Sequence, residues 1–313
     1  MEFCKSLTNY FKEFHKNVDF EELSNASIQG SYIFHSEDLW GITTGSLSNR
    51  FSLDENCVLV TLYHAPILKQ YNPAYIAYYG LINYNKFLET KKNIYIDRFS
   101  SSLQWVKDNS ITDHFDTTPC QKWTYNFDWQ NGEYTLKSGW VSAMAQGLIA
   151  SLLLRGYIYF NDNNFLIMAK ESINLFKVDI ELGGVKAHYK NYVYYEEYPA
   201  YPLSMVLDGA LFSLVGVYEL SKIDKTYVPL LQDGLHFIQD NFNIWNFYNV
   251  WTKYGKFNNL QLLSTCSYHR LNLILLKFFI SKNLLSIKKI SYFSPALLSI
   301  INLFILLKNK FKR

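Results

Sequence analysis

Hydrophobic and polar positions follow two rhythms along this chain, and the rhythm changes near residue 70. Before it, GSYIFHSEDLWGI and NCVLVTLYHAPIL are short apolar runs broken by polar turns, the pattern of strands or extended pieces. From Pro73 the apolar residues recur at helical spacing. NPAYIAYYGLINYNKFLETKK predicts a helix capped by Asn72 with proline in its first turn, and residues 94–109 predict its partner. The aromatic alternation of WTYNFDW, 123–129, predicts an extended segment. Residues 138–159 are apolar on most sides, 164–178 are amphipathic, and DNN forms the turn between them. Residues 180–198 predict a strand or hairpin opened by Gly183-Gly184 and punctuated by Pro199 and Pro202. Helices near 203–221 and 226–241, an aromatic loop or hairpin over 244–257, and helices at 268–283 and 290–308 complete the pattern.

Paired helices must bury one face against the partner and another against the neighbouring pair. A mainly α protein follows: an incomplete α/α toroid of paired antiparallel helices, with β-hairpins lining a cleft and a small extended region at the N-terminus. No short tandem repeat is visible, which argues against a solenoid. The expected division is an accessory region over 1–66 and the toroid over 67–313.

Composition adds three constraints. Hydrophobic residues make up 49% and charged residues 18% of 313, enough apolar material for a sizeable core. The net charge of +3 is too weak to argue for a nucleic-acid partner, though it tolerates an anionic one. Tyr, Phe and Trp number 25, 23 and 7. Compositional bias accounts for much of this, and a carbohydrate cleft, where sugar rings lie flat on aromatic faces, is the functional alternative.

The four cysteines, Cys4, Cys57, Cys120 and Cys266, lack metal-ligand spacing, and neither a metal site nor a cofactor is expected. The first twenty residues carry charges throughout and do not form a secretory leader, so a cytoplasmic location is expected. The apolar stretch 292–307, interrupted by Pro295 and Asn302, falls short of the roughly 20 residues a bilayer span needs. It is expected to pack as a last helix, with membrane-surface contact as the minority reading.

Several stretches resemble the glucuronyl C5-epimerase family. They are NPAYIAYYGLINYNKFL, WTYNFDW, SGWVSAMAQGLIASLLLRGY over 138–157, GGVKA with YYEEYPAYPLSMVLDGALFSLVGVYEL over 183–187 and 194–220, and YHRLNLILL over 268–276. The resemblance implies an α/α toroid without a cofactor, acting on an anionic polysaccharide that contains glucuronate; a homodimer is compatible with it. Members invert C5 of D-glucuronic acid units to give L-iduronic acid, in the manner of heparosan-modifying enzymes. Carried over by motif, Glu197 and Tyr198 of YEEYP, Tyr268 at the start of the YH helix and Tyr254 of WTKYGKF are the implied catalytic residues. The chain departs from the family at Asp208, where the family has Asn, at Asn272 in place of a second His, and at Gly255 in a shortened loop.

The residues themselves fit such chemistry. Removing the proton at C5 needs a base on one ring face, an acid on the other and a group that neutralises the sugar carboxylate. Tyrosine serves either role, with a reference pKa of about 10 that its surroundings can move. Lys256, His269 and Arg270 are the candidate carboxylate-binding groups, and Glu196, Tyr125, Trp140 and Gln146 are further substrate-binding candidates. Adjacent strand residues point to opposite faces, so only one of Glu196 and Glu197 is expected to face the cleft. Each residue also has a packing role as its alternative. Three other readings stand beside the epimerase: a polysaccharide lyase, a hydrolase using Asp128 and Glu197, and a glycan-binding relative without turnover.

Overall fold

The computed structural model describes residues 26–34, 39–132, 134–249, 251–257 and 260–287. The expected helix at 290–308, and the packing or membrane role of 292–307, lie outside the described residues.

Seven α-helices lie among the described residues: α1 Pro73–Thr90, α2 Asn93–Asp108, α3 Ala143–Phe160, α4 Asn163–Asn174, α5 Leu207–Ile223, α6 Val228–Asp240 and α7 Cys266–Ser281. They form two layers. α1, α3 and α5 are buried along nearly their whole first three or four turns, whereas α2, α4 and α6 bury single stripes such as Phe99, Leu103 and Val106. Each outer helix packs on the inner helix before it, and the inner helices pack side by side in the order α1, α3, α5, α7. This is the incomplete α/α toroid that the helical pairing predicts.

The inner helices approach closely where side chains are missing. A methyl group at Gly147 of α3 would lie 2.5 Å from the Ser213 Cα of α5, so only glycine permits this crossing. Further along the same two helices, Arg155 donates from both Nη atoms to the Glu219 carboxylate at 2.9 and 2.8 Å, fully out of water.

Connections differ sharply between the two rims. At one rim the helices of a pair are joined by 91–92, 161–162 and 224–227. At the other, long segments carry hairpins: β4 Ile111–Phe115 with β5 Thr118–Lys122, β6 Trp129–Asn131 with β7 Tyr134–Leu136, β8 Lys186–Tyr189 with β9 Tyr192–Tyr195, and the antiparallel set β10 Asn246–Phe247, β11 Trp251–Phe257 and β12 Leu260–Leu263.

Helix α1 begins where the sequence predicts, with Asn72 Oδ1 accepting from the Tyr75 amide at 3.1 Å and Pro73 in the first turn. Helix α3 begins at Ala143, later than its apolar run suggests. Trp140 bridges to Tyr125 in an extended pair, Gly139 has a φ of +96°, and Ser142 caps the helix.

The N-terminal region shares the helical core. β1 Phe51–Leu53, β2 Leu59–Leu62 and β3 Lys69–Gln70 form one antiparallel sheet. Tyr32 and Phe34 are buried against α1 and α5, and the Asn85 side chain bonds the Tyr32 backbone on both sides. The expected boundary at 66/67 thus runs through a continuous packed body. Among the described residues α3 alone is long and apolar enough to cross a membrane, and it is the central core helix.

Candidate active site

The long-segment rim opens on a cavity of about 840 Å³. The first turns of three inner helices line it, with Tyr75 from α1, Met144 from α3 and Tyr268 from α7. Their N-terminal ends give this end of the toroid a positive dipole contribution, suited to an anionic guest.

Glu197 and Tyr198 follow β9. Their approach is fixed because the Glu196 carbonyl accepts from the Ala143 amide at the start of α3 (3.0 Å), while the Glu196 amide donates to Val185 O (2.9 Å). The alternation expected for a strand then separates the two glutamates. Glu197 lines the cavity. Glu196 turns into the core, where it accepts from Ser204 Oγ at 2.7 Å and the Met205 amide at 2.9 Å, and burial pushes its carboxyl up to about 7.

Tyr254 of β11 and Tyr268 of α7 both line the cavity, their ring centroids 5.0 Å apart. Tyr198 lines the same cavity, and after burial the charges of Glu197 and Tyr254 act most on its hydroxyl. Burial, then neighbouring carboxyl groups, push all three hydroxyls well above the usual tyrosine range. They are therefore held as phenols, groups that donate protons.

The carboxyl of Glu197 is also pushed well up, first by burial and next by Asp208, while the neighbouring Tyr198 hydroxyl acts the other way. Burial pushes Asp208, in the first turn of α5, up to about 7. Glu197 Oε2 and Asp208 Oδ1 are both buried without a hydrogen-bond partner. Glu197 rests on Gly209, where a methyl group would lie 2.7 Å from the Glu197 Cβ.

Tyr125 and Trp140 line the cavity as a stacked pair, 3.8 Å between centroids, and Trp140 is 5.9 Å from Tyr198. The remaining substrate-binding candidates do not line it. Gln146 is an internal tie, donating to Gln121 O at 2.8 Å and accepting from the Trp123 amide at 3.2 Å. The Lys256 ammonium sits 5.5 Å over the Tyr189 ring. His269 is stacked on Trp251 at 4.1 Å, its Nδ1 accepts from the Thr252 amide, and burial lowers it to about 3, keeping it neutral. Arg270 is half-buried on α7, away from the cavity lining. Asp128, the second carboxylate of the hydrolase reading, is exposed and paired with Lys137 at 2.7 Å.

Sequence reasoning did not single out Arg50, Tyr63, His64 and Tyr75, which also line the cavity. The first three come from the N-terminal sheet or its edge, where no motif marks them. The spacing Asn72–Tyr75 at a helix start was the one available signal, since it puts Tyr75 on the first turn.

Comparison with known proteins bears on residues 117–294, more than half of the chain, which match the family model described as the D-glucuronyl C5-epimerase C-terminus. A D-glucuronyl C5-epimerase of Caenorhabditis elegans is 45% identical over 89 residues, 28% of this chain and 14% of that protein. An uncharacterized protein of Methanocaldococcus jannaschii is 29% identical over 132 residues, covering 36% of this chain and 42% of the other. The matched stretches thus span less than half the length of these curated relatives. Among solved structures, a GH76A α-1,6-mannanase from Salegentibacter sp. HEL1_6 superposes with a TM-score of 0.43 at 12% identity, covering 70% of this chain and 60% of that one. A family 76 glycoside hydrolase from a bovine Bacteroides thetaiotaomicron strain gives 0.45 at 12%, with 75% and 48% covered. Likenesses of that size say nothing about activity.

Proposed function

The chain belongs to the D-glucuronyl C5-epimerase C-terminal family, and we propose from that premise that it inverts C5 of D-glucuronate units within a polysaccharide, giving L-iduronate. The observation that carries this reading is the convergence of Glu197, Tyr198, Tyr254 and Tyr268, from three separate parts of the chain, on one aromatic-lined cavity.

The environment divides the work. Glu197, whose proton affinity is raised by burial and Asp208, is the base. It takes the C5 proton, and the C–H electron pair moves into the sugar carboxylate as an enediolate. A tyrosine on the other ring face, Tyr254 or Tyr268, donates a proton to C5 and returns the electrons to carbon. The phenols suit that donor role because nearby carboxyl groups and burial keep them protonated. Tyr198, which adjoins Glu197 in the chain and lines the same cavity as Tyr254, is the group that lets the two ends reset their protons between turnovers.

Incubation with a non-sulfated glucuronate polymer in heavy water tests the reading. Deuterium at C5 in an intact chain is the expected result. An unsaturated uronate chromophore would mean elimination, new reducing ends would mean hydrolysis, and binding without any deuterium would mean a lectin-like relative.

A further inference from the structure

The reaction just proposed adds negative charge to a site that already holds Glu197, with Asp208 behind it. The sugar carboxylate must be held by a cation as the enediolate forms, and Lys256 and Arg270 do not line the cavity. Among the described lining residues, Arg50 is the one with a permanent positive charge.

Arg50 stands immediately before β1. Its backbone is fixed, since its carbonyl accepts from the Leu62 amide at 2.7 Å across the sheet, while its side chain is exposed to the cavity. Its guanidinium carbon lies 5.5 Å from the Phe51 ring centroid, and the Tyr75 ring packs on Phe51 with its centroid 5.5 Å away. The charges of Arg50 and Glu197 both act on the Tyr75 hydroxyl, and all three residues line the same cavity. No ion pair to an Asp or Glu occupies Arg50 among the described residues, so its donors face the cavity unspent on carboxylates.

We propose that Arg50 is the residue that recognises the substrate carboxylate, with a two-pronged guanidinium–carboxylate contact that makes the cavity select uronates over neutral sugars. The proposal rests on the epimerase reading for its substrate class. A planar fork of donors matches both carboxylate oxygens, and it remains matched when negative charge grows on them in the enediolate. Arg50 lies outside the 117–294 stretch. Proton transfer and carboxylate recognition therefore come from different parts of the chain, joined across the cavity.

The test measures binding and exchange separately on the full chain and on R50Q and R50K. The probes are a glucuronate oligosaccharide and the same oligosaccharide with its carboxyls reduced to primary alcohols. Wild type should bind the carboxylated probe roughly 10–100-fold more tightly, the size of a charge-assisted contact. R50Q should bind both alike, and R50K, a point charge, should keep part of the preference. C5 deuterium exchange should fall about 10²-fold or more in R50Q. Circular dichroism matching wild type checks that each variant folds, as expected for an exposed side chain. A wild-type affinity ratio retained in R50Q, or no preference in wild type, overturns the proposal while leaving C5 exchange to judge the epimerase reading. Lost preference in R50Q alongside no exchange in wild type upholds the carboxylate site and sinks the epimerase.

Discussion

The carboxyl groups of Glu197 and Asp208 share one dry corner, each with an oxygen that no hydrogen bond satisfies. Two such groups resist being charged together, so removing one should free the other. Asp208→Asn is expected to move the acidic limb of the kcat/KM profile to lower pH, because Glu197 then loses its proton more readily; an unmoved limb would show that Asp208 does not tune the base. The same variant makes a stability prediction. Asp208 titrates near 7 in the fold and in the ordinary carboxylate range when unfolded. A raised folded value means its stabilising contribution is complete below about pH 4 and is lost as pH rises toward and through 7. The melting temperature of wild type should therefore fall more steeply than that of Asp208→Asn between pH 5 and 8. For the cavity tyrosines, Tyr198→Phe and Tyr268→Phe keep the rings and remove the hydroxyls. Each should cut C5 deuterium exchange by the roughly 10²–10⁴-fold of a lost general acid or base while melting stays near wild type. Full-rate exchange in both would dismiss them from the chemistry.

Elements, rather than isolated side chains, decide which of these groups meet. The β8–β9 hairpin delivers Glu197 onto Gly209 at the start of α5, and the missing side chain there is what leaves room. Gly209→Ala tests that contact. Alanine favours a helix over glycine by up to about 1 kcal/mol, so the protein should stay folded in urea titration. The added methyl should displace Glu197 and depress turnover at least tenfold, and undiminished turnover would mean that Glu197 can shift without cost. Much of this element scale was legible in the sequence. Asn72-Pro73 marks a helix start through chemistry local to the chain, and the 3.6-residue periodicity of 164–178 needs no partner to be read. What escaped depends on distant contacts. The start of α3 is set by a bridge between Trp140 and Tyr125. Lys256 and His269 have suitable side-chain types but sit against Tyr189 and Trp251, and Arg270 does not line the cavity, whereas Arg50 reaches it through a sheet whose strands carry no motif.

At the scale of the whole molecule, the two-layer array separates what holds it together from what reacts. Arg155 and Glu219 lie twelve residues into α3 and α5, about 18 Å of helix from the cavity end. Breaking one half of this buried pair strands the other charge, at a cost of about 3–5 kcal/mol. Glu219→Gln should lower the urea midpoint accordingly while leaving turnover per folded molecule unchanged; an equal loss of turnover would show that the far end of the toroid is coupled to the site. The contrast between the rims has a further consequence. Among the described residues, 91–92, 161–162 and 224–227 merely reverse the chain while 49–72, 109–142, 175–206 and 241–265 supply the cavity lining, so these residues divide into a blank end and a working end. Fusion partners and inserted peptides belong at the blank end. New specificities would come from exchanging whole working-end segments between relatives, with the helices kept as a reusable chassis.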